Sequence, residues 1–248
     1  MDCMSVISFA ACTSDDALRA KLPFGCVDIN RDSIPSALRR RSSSAMQLTF
    51  TVASEVCKRT ECSPASLPTV FASVAGEIQT TDQLCIELAK ADGLISPSAF
   101  HNSVQNTAAG YWSIAQQCMQ PASALAAGRD TFAMALLEAW CQLSCQGGEL
   151  LLVCYDEVWP DYLAPCSGRP AFASALLLAA GAVTESVAQL GKPKRQIGSE
   201  FPSEWAGLTR DMPALAAIPL LDCLANDGEA RTLPLTSTAE GWQIKVCR

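Results

Sequence analysis

Residues 131–146 constrain the fold more than any other part of the sequence. They read TFAMALLEAWCQLSCQ, so a helix formed here is apolar on nearly every side. A helix that is hydrophobic all round is enclosed by other elements, whereas a surface helix has a polar face. We therefore predict a buried, central helix that ends at Gly147 and Gly148.

The segments on either side of this helix predict a βαβ unit. Residues 149–155 (ELLLVCY) are too apolar for a strand with one face in water, which predicts a sheet covered on both faces. Residues 121–127 form a short apolar strand, and a sharp turn at residues 128–131 follows it. Strand, turn, buried helix and buried strand are the parts of a layered α/β protein.

The same alternation recurs earlier in the chain. Residues 68–74 predict a buried strand, and residues 81–91 predict a helix capped by Thr80 or Thr81. Its inward-facing residues are expected to be Leu84, Leu88 and Ala91. Residues 46–59 fit both strand and helix periodicity, and the length of this segment favours a helix.

The rest of the chain predicts shorter elements. They are a strand at residues 4–11, a loop at 159–170, a strand at 172–179, an amphipathic or extended segment at 183–190, a mobile loop at 191–202, a helix at 214–224 with Pro219 in its first turn or at a kink, and a hairpin of residues 233–235 and 242–246.

Length and composition favour one domain over residues 1–248. With 49% hydrophobic residues and a mean hydropathy of +0.17, the chain can bury a sizeable core. No window is apolar enough for a membrane span, and residues 1–12 lack the basic start of a signal peptide. We expect a cytoplasmic protein without membrane insertion.

The cysteines predict reduced thiols. There are 13 of them, an odd number, and most lie inside apolar runs, where a thiol acts as a small hydrophobic group. No Cys-x-x-Cys occurs and His101 is the only histidine, so no metal site is expected. Neither Gly-x-Gly-x-x-Gly nor a Walker sequence is present, and no cofactor is expected.

The net charge of −7 argues against a nucleic-acid partner, because phosphate binding requires a basic surface. Residues 39–41 (RRR) and 192–195 (KPKR) are local exceptions. They are interpreted either as solvated loops or as docking sites for an acidic partner.

The block at residues 64–157 resembles the N-terminal half of β-ketoacyl-acyl carrier protein synthases. The resemblance rests on the order and spacing of Pro97 to Phe100, Ser103, Val104, Asn106, Gly110, Ser113, Ile114, Pro121, the turn at 128–131 and the long apolar helix. It is closer still to the short ketosynthase-like proteins of aryl polyene pathways, which are thought to act as chain-length-factor-type partners. This resemblance implies half of a thiolase-like fold, layered α/β/α with a mixed central sheet.

Ketosynthases that the chain resembles use a cysteine in the turn before the buried helix, together with two histidines from the second half of the fold. A thiol at a helix N-terminus is acidified, and histidines stabilise the anion formed on decarboxylation. Here the turn is Gly128, Arg129, Asp130 and Thr131, with either Arg129 or Asp130 at the nucleophile position. Neither can carry an acyl thioester, and one histidine cannot supply a pair. The chain is also too short for the second half, so we predict no condensing activity alone.

Several polar residues allow more than one interpretation. Asp130 is either a helix N-cap or a residue beside a partner's active site. His101, placed in a loop before a helix, would serve an independent hydrolase or acyltransferase together with a cysteine or serine such as Cys166 or Ser167. No Gly-x-Ser-x-Gly elbow supports that alternative. Asp156 and Glu157 point to opposite faces of a strand end and are interpreted as a polar terminus.

The resemblance also implies the partners. We expect a heterodimer with a full-length ketosynthase, transient contact with an acyl carrier protein, and an interface at the strand before the turn. The interface residues are Pro121, Ala122, Ser123, Ala124, Leu125 and Ala126.

The residues expected to line the partner's acyl tunnel are Ala99, Phe100, Ser103 and Asn106. Phe100 either ends that tunnel or packs under the helix at residues 106–117, and a scaffold without effect on product length is the alternative function.

Overall fold

The computed structural model describes residues 1–163, 170–197, 200–226, 230–238 and 240–248. The strands are β1 (Met4–Thr13), β2 (Thr69–Ala72), β3 (Ala122–Leu125), β4 (Glu149–Asp156), β5 (Phe172–Ala180), β6 (Ala188–Leu190), β7 (Lys194–Ile197), β8 (Arg231–Pro234) and β9 (Glu240–Cys247). The α-helices are α1 (Asp16–Lys21), α2 (Ser36–Arg39), α3 (Ser44–Thr60), α4 (Ile78–Leu88), α5 (Pro97–Asn102), α6 (Thr107–Gln116), α7 (Thr131–Gln146), α8 (Ser203–Asp211) and α9 (Ile218–Ala225). Short 3-10 segments include Gly128–Asp130 and Pro213–Ala217.

The strands form one mixed sheet in the order β3-β2-β4-β5-β1-β6-β9-β7, with β8 paired to β9. Strand β2 is parallel to both β3 and β4, and the other pairings are antiparallel. The βαβ unit β3-α7-β4 predicted from the sequence is therefore confirmed, with β2 between its two strands.

Alternate residues of the central strands enter two separate cores. Leu150 and Leu152 of β4 belong to the core formed with α7 and α9, whereas Leu151 and Val153 belong to the core formed with α3 and α6. All of these side chains are at most 1% exposed. The sheet is covered on both faces, as the uninterrupted apolar run of β4 predicted.

Helix α7 spans the predicted residues, but its surroundings differ from the prediction. Phe132 and Leu136 are buried against the sheet, and Gly147, with φ of +69°, ends the helix. Cys141 and Cys145 are exposed. The expectation of burial on all sides is therefore wrong for the last turns, where Leu143 is buried but the side that carries Cys141 and Cys145 faces solvent.

Most other predicted elements are confirmed within a few residues. They include β1, β2, β5, the helical reading of α3, the hairpin of β8 and β9, and α9 with Pro219 in its first turn. Residues 183–190 are extended only at their end, as β6. Parts of the predicted loops, residues 164–169 and 198–199, lie outside the described residues, as does position 239 in the hairpin turn.

Two local predictions are wrong. Helix α4 begins at Ile78 with Glu77 at its N-cap position, not with a threonine cap, and Leu88 is 62% exposed. The polar segment 191–202 was expected to be a mobile loop, yet it contains β7, which pairs with β9 from Lys194 to Ile197. Strand pairing supplied by residues about fifty positions away overrides the local polarity.

Candidate functional site

The turn before α7 is ordered by one threonine. The buried Thr131 hydroxyl donates to the carbonyl of Gly128 at 2.7 Å and accepts from the amide of Ala127 at 3.0 Å. Gly128 has φ of +56°, a conformation that disfavours side chains. Arg129 is exposed and Asp130 is half-buried.

Asp130 does not act as the expected cap. It occupies the N-cap position of α7, but its side chain accepts no capping hydrogen bond from the helix amides. The carboxylate is therefore left for other contacts at the positive end of the α7 dipole.

Strand β3 lies at one end of the sheet and pairs only with β2 in the part of the chain that the structure describes. Ala122 and Ala124 are exposed, while Ser123 and Leu125 are half-buried. Ser123 Oγ accepts a 3.1 Å hydrogen bond from Gln142 of α7. The outer edge of β3 consequently offers free backbone groups and small side chains to another strand.

Helix α5 projects an apolar side chain into solvent. Phe100 is 65% exposed, so the alternative in which it packs under α6 is wrong. The buried Asn102 anchors α5: its Oδ1 accepts from the Tyr111 hydroxyl at 2.8 Å, and its amide donates to the Arg41 carbonyl at 3.4 Å. His101 lies inside α5, not in a loop, and is exposed.

The remaining three predicted wall residues lie within this helix or close to its C-terminal end. Ser103 follows α5 and donates its hydroxyl to the Phe100 carbonyl at 2.9 Å. Asn106 is exposed at the N-cap position of α6 and makes no side-chain cap. Ala99 is half-buried on the other flank of α5.

Asp156 and Glu157 are not the polar strand terminus expected from the sequence, because each is 1% exposed. Asp156 accepts hydrogen bonds from Ser73 Oγ at 3.0 Å, from the Val74 amide at 2.9 Å and from the Ala214 amide at 2.8 Å. This carboxylate therefore connects the end of β4 to the loop after β2 and to the 3-10 segment before α9.

Glu157 and the buried Glu77 connect the starts of two helices. Glu157 accepts from Ser44 Oγ at 2.5 Å and from the Gln79 amide at 2.9 Å. Glu77 accepts from Ser43 Oγ at 2.9 Å. Since these donors lie at the N-termini of α3 and α4, the carboxylates satisfy amides and hydroxyls where the helix dipoles are positive.

Glu77, Asp156 and Glu157 form what we call the acidic cluster. Burial raises the pKa of Glu77 to about 7 and that of Asp156 to about 6, and Glu157 adds repulsion in both cases. Burial also raises the pKa of Glu157, opposed by the hydrogen bond from Ser44. In the described residues, none of the three forms an ion pair.

A groove with a volume of about 730 Å³ is lined by one member of this cluster, Glu157. Its lining residues are polar with few exceptions: Arg40, Arg41, Ser42, Ser43, Ser44, Met46, Gln79, Thr80, Gln83, Ser96, Ser98, Ala99, Asn102, Glu157 and Val158. The groove lies at the carboxyl ends of β2 and β4, where open α/β sheets bind ligands.

Sequence reasoning missed this groove. The one local signal was an acidic pair directly after an apolar strand. The burial of this acidic pair depends on two helix N-termini that lie about 80 to 110 residues away in the chain. No local sequence pattern indicates that these helices pack against it.

The other sequence candidates do not join a second site. Cys166 and Ser167, the suggested companions of His101, lie outside the described residues. Of the basic runs, Arg39 pairs with Asp32 at 2.9 Å and Arg195 lies 3.8 Å from Glu240. Within the described ranges, no three metal-ligating side chains are grouped as an ion would require, and no helix has the length and apolar content to cross a bilayer.

Comparison with known proteins gives the context of this geometry. Residues 16–243 match the family described as "Beta-ketoacyl synthase, N-terminal domain". Among curated proteins, none matches the chain significantly.

Solved structures match over the whole chain. One comes from a ketosynthase in complex with its chain length factor from Xenorhabdus doucetiae, with a TM-score of 0.73, 21% identity and 99% coverage of both chains. The ishigamide ketosynthase/chain length factor gives a TM-score of 0.68 at 13% identity, covering 98% of both chains. A type II polyketide synthase acyl-carrier protein in complex with its ketosynthase gives 0.72 at 9% identity, covering 100% of this chain and 99% of that one. These likenesses establish the thiolase-like ketosynthase fold that the sequence predicted.

Proposed function

Because the chain belongs to the family of β-ketoacyl synthase N-terminal domains, we propose that it is a non-catalytic, chain-length-factor-like subunit. It pairs with a full-length ketosynthase, contacts an acyl carrier protein transiently, and shapes the tunnel in which the partner's acyl chain grows. The pathway is of the polyene or polyketide type, and the subunit itself uses no cofactor.

The observation that carries this proposal is the turn at residues 128–131. It keeps the position at the start of a buried helix where a thiol would be acidified, but it contains Arg129 and Asp130 and no cysteine. His101, the sole histidine, is exposed on α5. The chain therefore lacks the groups that condensation requires, and another subunit has to supply them.

The exposed edge of β3 supports a strand-to-strand interface. In this proposal, residues 121–126 pair antiparallel with the equivalent strand of the ketosynthase, which extends one sheet into the other. Alanines at positions 122 and 124 leave room for the close approach of two backbones. Asp130, whose side chain makes no capping hydrogen bond to α7, is available near the partner's active site in this proposal.

The exposed Phe100 supports a role in setting chain length. A large apolar side chain held on an anchored helix is suited to close the far end of a tunnel that the partner provides. Ala99, Ser103 and Asn106 complete this wall in the proposal. An extended, stiff chain that meets Phe100 clashes with it, which costs about 1–3 kcal/mol for a clash of a methylene or more.

The test uses the complex reconstituted with a ketosynthase, its carrier protein and the extender units. Size-exclusion chromatography first establishes whether the two proteins form a heterodimer. Mass spectrometry then measures product length for the wild type, Phe100→Ala and Ser103→Phe. Longer products from Phe100→Ala and shorter ones from Ser103→Phe are expected, because the first substitution deepens the tunnel and the second shortens it.

The matched control is Phe24→Ala, which removes a phenyl ring that is 8% exposed and belongs to the core beneath α7, away from α5. It is expected to lower stability without changing product length. Unchanged lengths in both wall variants, with the heterodimer intact, would identify the protein as a scaffold that only supports its partner.

A further inference from the structure

Two cysteines meet at the C-terminal end of α3, on the face of the sheet opposite α7. The helix ends at Thr60, and Glu61 follows it with φ of +52°, in the left-handed region. The Glu61 amide donates to the Lys58 carbonyl at 3.4 Å and closes the last turn. Because a left-handed residue reverses the chain, residue 62 returns towards the helix instead of continuing along its axis.

This reversal brings the side chains of Cys57 and Cys62 together. In a helix end of this kind, the residue after the left-handed one packs against a residue in the last helical turn, and here that pair is Cys62 and Cys57. Cys57 is 6% exposed and belongs to the core formed with α3 and α6, and the half-buried Cys62 packs against the same core. The two thiols lie within hydrogen-bonding reach of each other. The fold therefore holds two thiols side by side.

A cavity of about 360 Å³ gives small molecules access to this pair, because Cys57 and Cys62 both line it. One water occupies about 30 Å³ in the liquid, so an oxidant as small as hydrogen peroxide fits without displacing side chains. Lys58 and Glu61 line the same cavity with opposite charges. Since neither sign of charge dominates, the cavity suits a neutral reagent.

Exposure alone would favour a different pair of cysteines. Cys141 and Cys145 are exposed, and they lie four residues apart on the regular helix α7. Side chains at that spacing have Cβ atoms about 5–6 Å apart. A disulfide requires about 3.5–4.5 Å between the Cβ atoms. These two cysteines can therefore be oxidised singly, but a bridge between them would distort the helix.

We propose that Cys57 and Cys62 form a reversible disulfide when the protein reacts with hydrogen peroxide. The half-buried Cys62 reacts first. Its thiolate attacks one peroxide oxygen, the O–O bond breaks, and the other oxygen leaves as water after taking up a proton. The Cys57 thiol then attacks the sulfur of the resulting sulfenic acid, its proton leaves with the hydroxyl group as a second water, and the S–S bond forms. The two thiols thus lose two electrons, which reduce one hydrogen peroxide to two waters.

The order of the two steps follows from the surroundings of each thiol. Burial raises the pKa of Cys57, and the neighbouring Cys62 raises it further. A thiol that stays protonated is a poor first nucleophile, so Cys57 takes the second step, in which its contact with Cys62 replaces an encounter in solution. This inference is independent of the proposed function, because the protein without its partner is sufficient to test it.

The experiment uses the purified, reduced protein. Hydrogen peroxide is added until an exposed cysteine of α7 begins to be oxidised, the remaining thiols are alkylated, and the protein is digested with trypsin without reduction. Lys58 and Arg59 separate the two cysteines, which places them on peptides 42–58 and 60–90. The fraction that runs as a monomer on a non-reducing gel is expected to yield these peptides joined. The joined species should be about 2 Da lighter than the sum of the reduced peptides, and dithiothreitol should separate it.

Cys62→Ser is expected to abolish the joined species. Cys85→Ser, which removes the exposed cysteine of the same peptide 60–90, is the matched control and should retain it. Separate peptides in the wild type, at a peroxide concentration that oxidises α7, would overturn the proposal. A joined species that survives in Cys62→Ser and disappears in Cys85→Ser would also overturn it, because Cys57 would then be bonded to Cys85.

Discussion

Replacing Glu77 by glutamine is predicted to make the protein more stable above neutral pH. Glu77 is fully buried, and its pKa is raised from 4.5 to about 7, mainly by burial and further by Glu157. A folded-state pKa above the unfolded value means that the folded protein holds this proton more tightly. The resulting stabilisation is complete below pH 4.5 and is lost as the pH rises through 7.

The size of the effect follows from the shift. A change from 4.5 to about 7 corresponds to about 3 kcal/mol of unfolding free energy lost between those two pH values. In Glu77→Gln the side chain stays neutral at every pH, and its amide oxygen can still accept the hydrogen bond of Ser43. The variant should therefore exceed the wild type by roughly 2–3 kcal/mol at pH 8.5 and lose that advantage near pH 5.

Urea unfolding followed by tryptophan fluorescence at pH values from 5 to 8.5 measures this difference, since Trp112, Trp140 and Trp205 are buried. Glu185→Gln, at an exposed position, is the matched control and should follow the wild type throughout. A stability difference between Glu77→Gln and wild type that is the same at pH 5 and pH 8.5 would refute the reasoning.

Three further predictions concern assembly, chemistry and the core. Ala124→Lys on the free edge of β3 should abolish the heterodimer in size-exclusion chromatography, because a lysine blocks the pairing of two strand edges. Ala37→Lys, at an exposed position on α2, is the control and should leave the heterodimer intact. An Ala124→Lys complex of unchanged affinity would show that β3 is not part of the interface. The purified protein alone should take up no hydroxylamine-sensitive acyl group from an acyl carrier protein, and a covalent adduct seen by mass spectrometry would overturn the non-catalytic assignment. Leu136→Ala should cost about 3 kcal/mol of unfolding free energy and Leu88→Ala less than about 0.5 kcal/mol, because only the first is buried; equal losses in urea unfolding would contradict that view of α7.

The central part of the fold was predictable because the sequence of each element by itself indicates its type and its burial. A run such as that of β4 can be covered only on both faces, and the two glycines at 147 and 148 end α7 whatever packs around it. The prediction was wrong for β7, because its polar residues form a strand only through their pairing with β9. Local sequence patterns predicted the buried elements, and they missed a strand that forms only by pairing with a distant part of the chain.

The candidate site was predictable only in part, for a similar reason. The absence of a cysteine at residues 128–131 and the small residues of β3 can be read directly from the sequence. The exposure of Phe100 and the burial of Glu157 cannot be read from the sequence, because each depends on which other elements pack against that residue. Asp156 and Glu157 resemble a solvated strand end until Ser44 and Gln79, at two helix starts, are placed against Glu157.

The parallel arrangement of β2, β3 and β4 connects the turn with the groove. Since the carboxyl ends of parallel strands share one edge of a sheet, the turn after β3 lies on the same edge as the acidic cluster after β2 and β4. In the proposed heterodimer this edge carries a helix start without a nucleophile and a polar groove that is lined by Glu157 and by Ser98 of α5. None of these residues can form an acyl thioester, so in this proposal the chemistry comes from the ketosynthase that pairs with β3.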